Sequence, residues 1–393
     1  MKNIVLITHN FLPESVGGAS RNYEMAKYLQ QFFNVTVICP PPTIPFTKFK
    51  KIKQIFSKEN FNGIEVLRIW TFQPSEQIPT FIKRMLYYTM FPILTSVIFF
   101  YLLRNADIVI VSTPPPSLLL TVLPIKLMRK KLIIDIRDLW TESVSSFGYV
   151  KKNGLLTKFT KKFEIFCWNK ANLVITNSLV IVDEIKSNFK KKSKKVEYFP
   201  FNVDIKIFKK MDIKKEKIIV YAGNFGIAQN LEVFIHAISH AISHSAFSDY
   251  QIHLYGGGDC EQDLKNLVKG LKLENVVKFF EPVPRTELPN ILSKAILGIV
   301  PLADKEWLRY AMPTKTFEYI ACNLPVLGYG FSEELERVVK ESNAGIFVKG
   351  NEPGKISDNL IKMISDDKML EKFSSNANQY IQNRPNYSFL REI

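Results

Sequence analysis

Cysteine is scarce: the 393-residue chain has four, Cys39, Cys167, Cys260 and Cys322, and no CxxC pair. That excludes a disulfide framework and a cysteine-built zinc site, and it points to a reducing compartment. No Asp-x-Asp pair of the kind that holds a divalent cation occurs anywhere in the chain. Acidic residues are short in one half only. Residues 1–200 hold 13 Asp and Glu against 29 Lys and Arg, while residues 201–393 hold 24 of each, so the first half carries the whole net charge of +16. A basic half suits nucleic acid, an anionic membrane or an anionic substrate. No helix-turn-helix, zinc-finger or RRM pattern accompanies it, and nucleic acid is therefore not expected as a partner. The opening MKNIVLITHN reads as a strand rather than a secretory leader, with Pro13 and Gly17 soon after. There is no internal repeat and no low-complexity tract.

The length predicts two domains. Hydrophobic residues make up 46%, ordinary for a globular protein. Apolar runs at 3–8, 35–39, 64–70, 107–112 and 132–136 read as buried parallel strands, with another at ANLVIT. The segment 197–208, EYFPFNVDIKIF, reads as the passage between domains, and it includes Asn202 and Asp204. Strands recur at 217–223, in QIHLYGGGD before Gly256–Gly258, at 276–283 and 296–302, in LPVLGYG (324–330) and at 345–350, and helices follow from about 354 to 383. One stretch departs from this alternation. Met85–Leu103 has 19 uncharged residues between Lys83-Arg84 and Arg104, long enough to span a bilayer. A single crossing would put strands of one sheet on opposite sides of the membrane. The expectation is a helix, kinked at Pro92, lying partly on the sheet and partly at a membrane interface; a wholly buried helix is the alternative.

The candidate site residues cluster at loops that follow strands, where open sheets place their ligands. In the stretch 313–326, PTKTFEYIACNLPV, Pro313 suits a first helical turn, Thr314 can cap it and Asn323 can stop it. A helix N-terminus beside a loop-to-strand crevice suits an anionic ligand. Lys315 and Glu318 share one face there, as an anion-binding lysine with a hydroxyl-binding carboxylate, or as an ordinary surface pair. After the first strand, Gly17 and Gly18 permit close backbone approach, and Ser20 can start the helix RNYEMAKYLQQF. The loop DIRDLWTES holds Asp135, Arg137, Asp138, Trp140 and Glu142. Asp138 is a candidate catalytic or acceptor-orienting carboxylate, or a structural partner of Arg137. Gly223, Asn224 and Gly226 form a glycine turn. His236, His240 and His244 fall at helical spacing, without a carboxylate or cysteine to complete a metal site.

In their order and separation, these stretches resemble the family 4 glycosyltransferases. The stretches are NFLPESVGGAS, DIRDLW, NSLVIVDEI, YAGNFGIAQNLEVF, IHLYGGGD, FFEPVPRTEL and PTKTFEY, and the resemblance covers nearly the whole chain. It is greatest to the branch that builds bacterial surface polysaccharides such as capsule or O-antigen. The resemblance implies an α/β chain of two Rossmann-like domains facing across a cleft, the GT-B fold. Residues 1–200 would be the acceptor side with a membrane-facing helix at 85–103, and 201–375 the nucleotide-sugar side. Residues 376–393 would cross back to the first domain. It implies a retaining glycosyltransferase, independent of metal and cofactor. The sugar would pass from a nucleotide sugar, expected to be a UDP-sugar, to a lipid-linked or saccharide acceptor. The enzyme would be cytoplasmic and peripheral to the anionic inner membrane face. Catalytic roles would fall to Asp138, Lys315 and Glu318. Donor contacts would come from Gly17, Gly18, Asn224, Gly226, Gly257, Pro282, Val283, Arg285, Tyr310, Pro313, Thr314, Lys315 and Glu318.

Two departures from the family pattern leave other readings open. The Arg and Lys that grip the diphosphate are absent near Asn224 and Gln229. The first acidic residue of the signature is replaced by Tyr310, with Glu306 a distant substitute. A sugar-nucleotide 2-epimerase of GT-B-like fold and a non-catalytic nucleotide-sugar-binding protein are the alternatives.

Overall fold

The computed structural model describes residues 1–14, 17–44, 46, 48–76, 79–139, 154–189, 195–200 and 203–383. The chain divides into two compact units, Met1–Pro200 and Phe201–Pro385.

In the first unit the described elements run β1 (Asn3–Thr8), α1 (Gly17–Leu29), β2 (Asn34–Cys39), β3 (Phe56–Phe61), β4 (Ile64–Ile69), α2 (Phe81–Val97) and α3 (Phe99–Leu103). There follow β5 (Ile108–Thr113), α4 (Val122–Leu127), β6 (Lys131–Ile136), α5 (Leu155–Lys170), β7 (Leu173–Thr176), α6 (Leu179–Ser187) and β8 (Lys195–Tyr198). They build an eight-stranded sheet in the order β3-β4-β2-β1-β5-β6-β7-β8. Every pairing is parallel except β3 with β4. The β5 run IVIVST is buried at every position, as expected for a parallel strand covered on both faces. Sequential strands on either side of β1 and β5 run in opposite directions across the sheet, so a topological switch point lies between them.

Four details differ from the sequence reading. The antiparallel edge strand β3 was not expected; its hairpin turns at Asn62 and Gly63, both with positive φ, the residue pair that this turn favours. Helix α1 starts at Gly17, not Ser20, so both glycines lie in its first turn. The apolar stretch 85–103 is two helices, α2 and α3, broken at Ile98 (φ −99°, ψ 14°) and not at Pro92. Residues 197 and 198 of the expected passage belong instead to β8, the last strand of the first sheet. Among the described residues no helix is long and apolar enough to cross a membrane.

The second unit continues with β9 (Ile218–Asn224), α7 (Leu231–Ala241), β10 (Gln251–Gly257), α8 (Glu261–Gly270), β11 (Val277–Phe280), α9 (Leu288–Lys294), β12 (Leu297–Pro301) and α10 (Thr314–Ala321). It ends with β13 (Val326–Gly330), α11 (Glu333–Ser342), β14 (Gly345–Lys349), α12 (Pro353–Ile364) and α13 (Asp367–Gln382). Its six parallel strands lie in the order β11-β10-β9-β12-β13-β14, the doubly wound order with its switch point between β9 and β12. Helices form where local signals agree. On α7, Leu231, Phe234, Ile235 and Ile238 are buried at helical spacing. On α11, Ser332 accepts from the Leu335 N–H at 3.0 Å, three glutamates occupy the first turn, and Asn343 ends the helix at φ 44°. His244 lies beyond the end of α7, where its Nδ1 accepts from the Ala246 N–H, so the histidine stripe is not one helix face. Of the segment expected to cross back, residues 376–382 belong to α13, and 384–393 lie outside the described residues. So do Trp140, Glu142 and Asn202.

Candidate functional site

The switch point of the second unit is organised by one tyrosine. Tyr319, on α10, is fully buried, and its hydroxyl accepts the Ala222 N–H of β9 at 2.8 Å. That bond pins α10 to the carboxyl end of β9. Pro313 stands at the N-cap of α10 with no side-chain cap, so Thr314 does not close the first turn. The Thr316 N–H donates to the Pro313 carbonyl at 3.1 Å, which leaves the Thr314 and Lys315 N–H groups of that turn as orphans, next to the glycine turn of residues 223–226.

Lys315 leaves the first turn and lies over Tyr221, its Nζ 3.7 Å from the ring centroid. Gly223, at φ +150°, is what allows it: a Cβ there would stand 2.5 Å from Nζ. Burial pushes the Lys315 pKa down to about 7, against the pull of Glu318. The ring face favours the charged form as well. Glu318, one turn on, accepts from Arg285 Nη2 at 2.9 Å. Burial raises its pKa, with Arg285 and then Lys315 opposing. The Arg285 guanidinium lies over the Phe208 ring, 5.0 Å from its centroid. Two cations and a carboxylate therefore converge beside an uncapped helix N-terminus, an arrangement suited to a diphosphate with neighbouring hydroxyls.

The remaining residues expected here are placed around that centre. Asn224 ends β9 and its carbonyl accepts from the Tyr221 hydroxyl at 2.6 Å. The Gly226 carbonyl accepts from Gln229, and the Gly257 carbonyl from Phe225, at 3.1 and 2.9 Å. Pro282 and Val283 follow β11, Pro282 exposed and Val283 half-buried. Tyr310 is buried beneath Arg309, whose guanidinium is 5.4 Å from its ring centroid. Sequence reasoning missed Tyr221 and Tyr319, and gave Phe208 no role in the site; an aromatic in a strand, helix or turn carries no local mark of what will lie on its ring.

Gly17, Gly18 and Asp138 belong to the first unit. The loop before α1 is tied down by Glu14, whose Oε1 accepts from the Thr43 and Ile44 N–H groups at 2.8 and 2.9 Å. Burial pushes the Glu14 pKa up to about 7, against those bonds and Arg68. Behind α1 the fully buried Asp135 accepts from Arg21 Nη2 at 2.9 Å and from the Ser112 hydroxyl at 2.7 Å. Arg137 donates instead to the Thr113 and Pro114 carbonyls, at 2.8 and 3.4 Å. Asp138 is open to solvent yet crowded by protein. Crowding raises its pKa, and Arg137 and Arg21 pull it back; contact with water also opposes the rise. A separate cavity of about 200 Å³, lined by Pro42, Thr43, Phe49, Lys51, Gln73, Pro74 and Ser75, involves none of the candidate residues.

Comparison with known proteins bears on the fold and on the second unit. Residues 203–380 match the family described as Glycosyl transferases group 1, so the second unit carries a glycosyltransferase domain. A D-inositol 3-phosphate glycosyltransferase of Corynebacterium efficiens is 22% identical over 171 residues. That match covers 42% of this chain and only 39% of the relative's length. A sucrose-phosphate synthase of Thermosynechococcus elongatus superposes with a TM-score of 0.73 at 15% identity, covering 100% of this chain and 97% of that one. HepE of Anabaena, solved with UDP-glucose, gives 0.72 at 14% identity over 100% and 98%. WaaG, a glycosyltransferase involved in lipopolysaccharide biosynthesis, gives 0.66 at 13% identity over 99% and 97%. The fold is thus α/β with two parallel-sheet domains, as in GT-B glycosyltransferases.

Proposed function

We propose that the protein is a retaining glycosyltransferase of family 4 that moves a sugar from a UDP-sugar to a lipid-linked or saccharide acceptor in bacterial surface-polysaccharide synthesis. The observation that carries this reading is the convergence of Lys315, Glu318 and Arg285 at the uncapped start of α10. As the sugar–phosphate bond breaks, negative charge grows on the departing diphosphate. Lys315 and the first-turn N–H groups stabilise it there. Glu318 Oε2, which accepts no hydrogen bond, is available to ribose hydroxyls. Asp138 orients the acceptor hydroxyl. HepE was solved with UDP and UDP-glucose, which supports a UDP-sugar donor.

The same reading places the enzyme at the cytoplasmic face of an anionic membrane. On α2 and α3, Ile93, Val97, Phe100 and Tyr101 are exposed, the last three at 71%, 64% and 62%. Helix α3 packs against α4, and α4 against α5. These carry the exposed Leu123, Leu127, Leu155 and Phe159 together with the exposed Lys158 and Lys162. An apolar surface edged with lysine fits a headgroup interface.

The test is product analysis with a panel of UDP-sugars and membrane extract, in EDTA. The expected result is UDP released only when acceptor is present, with the anomeric configuration of the donor kept. Inversion of the anomer, or activity that returns only with manganese or magnesium, would overturn the mechanism. Epimerised donor without acceptor would identify an epimerase, and binding without turnover a non-catalytic protein.

A further inference from the structure

Strands β2 and β4 pair in parallel, so the chain leaves both at the same edge of the sheet and the two following loops stand side by side. These loops line the cavity of about 200 Å³. Pro42 and Thr43 come from the first loop and Gln73, Pro74 and Ser75 from the second; Phe49 and Lys51 come from the segment that leads into β3. The lining is braced. Gln73 is buried and clasps the Ile52 backbone twice, Oε1 accepting from its N–H at 3.1 Å and Nε2 donating to its carbonyl at 2.8 Å. Behind Thr43, Glu14 accepts from the Thr43 and Ile44 N–H groups. A cavity held in this way loses little freedom on binding.

The lining combines two chemistries. Pro42, Pro74 and the half-buried Phe49 offer apolar surfaces of the kind that take the C–H face of a sugar ring. Lys51 Nζ bonds Ser75 Oγ, which leaves further ammonium protons and the serine O–H to donate. The Thr43 hydroxyl donates to the Pro41 carbonyl at 2.8 Å and keeps its lone pairs to accept. Charge there has one sign. No Asp or Glu occurs from Met25 to Lys58. Lys48, Lys50 and Lys53 are exposed on either side of Lys51 and make no ion pair among the described residues. Glu76, next to Ser75, is turned to Lys83, and Arg68 offsets the charge of Glu14. An apolar cavity of about 150 Å³ takes one benzene, so this cavity has room for a single six-membered ring with its substituents.

We propose that this cavity binds one anionic sugar unit, a pyranose bearing a carboxylate or a phosphate, with its ring against Phe49 and the prolines and its charge on Lys51. That this sugar belongs to the acceptor rests on the glycosyltransferase reading; the pocket itself stands on the first unit alone. An anionic membrane would meet the same lysines, but a planar headgroup surface does not fill a braced recess the size of one ring.

The experiment is equilibrium dialysis of labelled glucuronic acid, glucose 6-phosphate and glucose against the full chain. It is run at saturating UDP, which fills the donor site, on wild type, Lys51→Gln and Phe49→Ala, with fold checked by circular dichroism. The expected result is one charged sugar bound per wild-type chain, at least about tenfold more tightly than glucose. Lys51→Gln should bring the charged sugars down to the level of glucose, and Phe49→Ala should weaken all three alike. The tighter of the two charged sugars tells carboxylate from phosphate. Lys51 is exposed, so its variant keeps the test readable if Phe49→Ala fails to fold. No saturable binding by wild type, equal binding of glucose, or unchanged binding by folded Lys51→Gln overturns the proposal. Loss of anionic-vesicle binding in Lys51→Gln, with no sugar bound by wild type, overturns it in favour of the membrane. A chain that binds UDP but no sugar removes the pocket and leaves the donor reading; one that binds sugar but no UDP leaves the pocket and removes that reading.

Discussion

Arg285 donates to Glu318 across 33 residues of chain, Nη2 to Oε1 at 2.9 Å. The pair leaves Oε2 for a ligand and fixes the carboxylate's direction. Glu318→Ala should weaken UDP binding by about 1.5–3 kcal/mol, the range for a hydrogen bond to a charged group. Arg285→Ala should weaken it less, and the double variant should show coupling of about 0.5 kcal/mol or more. Calorimetric titration of UDP into the four proteins measures this. Additive effects would show that the two residues act independently.

Lys315 predicts a pH dependence with a definite sign. Its folded pKa is about 7, below the ordinary lysine value of about 10.4. A bound diphosphate favours the ammonium, so UDP binding should take up a proton above pH 7 and weaken as pH rises towards 9. Without ligand the sign is opposite for stability. Between about pH 7 and 10.4 the unfolded chain binds more protons at this residue, so stability contributed here rises with pH and is lost as pH falls through 7. Lys315→Met should remove both effects and raise the neutral-pH melting temperature of the unliganded protein while abolishing the proton uptake. Titrations in buffers of different ionisation enthalpy read the proton directly.

Membrane binding should separate into two parts. Each lysine or arginine near an anionic surface adds about 1 kcal/mol, screened within a Debye length of about 10 Å at 0.1 M salt. Apolar insertion is not screened. High salt should therefore release only part of the protein from anionic vesicles. Phe100→Ser with Tyr101→Ser, both exposed, should release most of the rest without loss of fold. Phe99 packs on Phe100 at 4.1 Å between centroids and is best left in place. Co-sedimentation with vesicles tests this, and wild type that stays in solution at low salt would remove the membrane part of the reading.

The Arg21–Asp135 pair is buried on both sides, at 1% and 0% side-chain exposure. Arg21→Ala would leave a buried carboxylate uncompensated and should destabilise the first unit by about 3–5 kcal/mol. Urea denaturation followed by a probe in that unit measures it. Asp135→Asn with Arg21→Gln should recover part of the loss, since neither side chain then carries a buried charge.

Much of the fold was legible before any coordinates. Runs of Val, Ile and Leu bounded by Gly and Pro placed most of the strands within a residue or two, because strand and helix periods are local properties of the chain. The start of α10 at Thr314 and its end before Asn323 followed from proline and left-handed asparagine chemistry, and the shared face of Lys315 and Glu318 from helical spacing. Strand β3 went unread, although the Asn62–Gly63 turn marks its hairpin in the sequence. What only the tertiary structure decided is which distant groups meet. Strand order brings Tyr221 under Lys315, lays Arg285 on Glu318, pairs Asp135 with Arg21 and leaves Arg137 against Gly18. Each is a contact between segments far apart in sequence, set by sheet order and packing, and no local pattern encodes such a meeting.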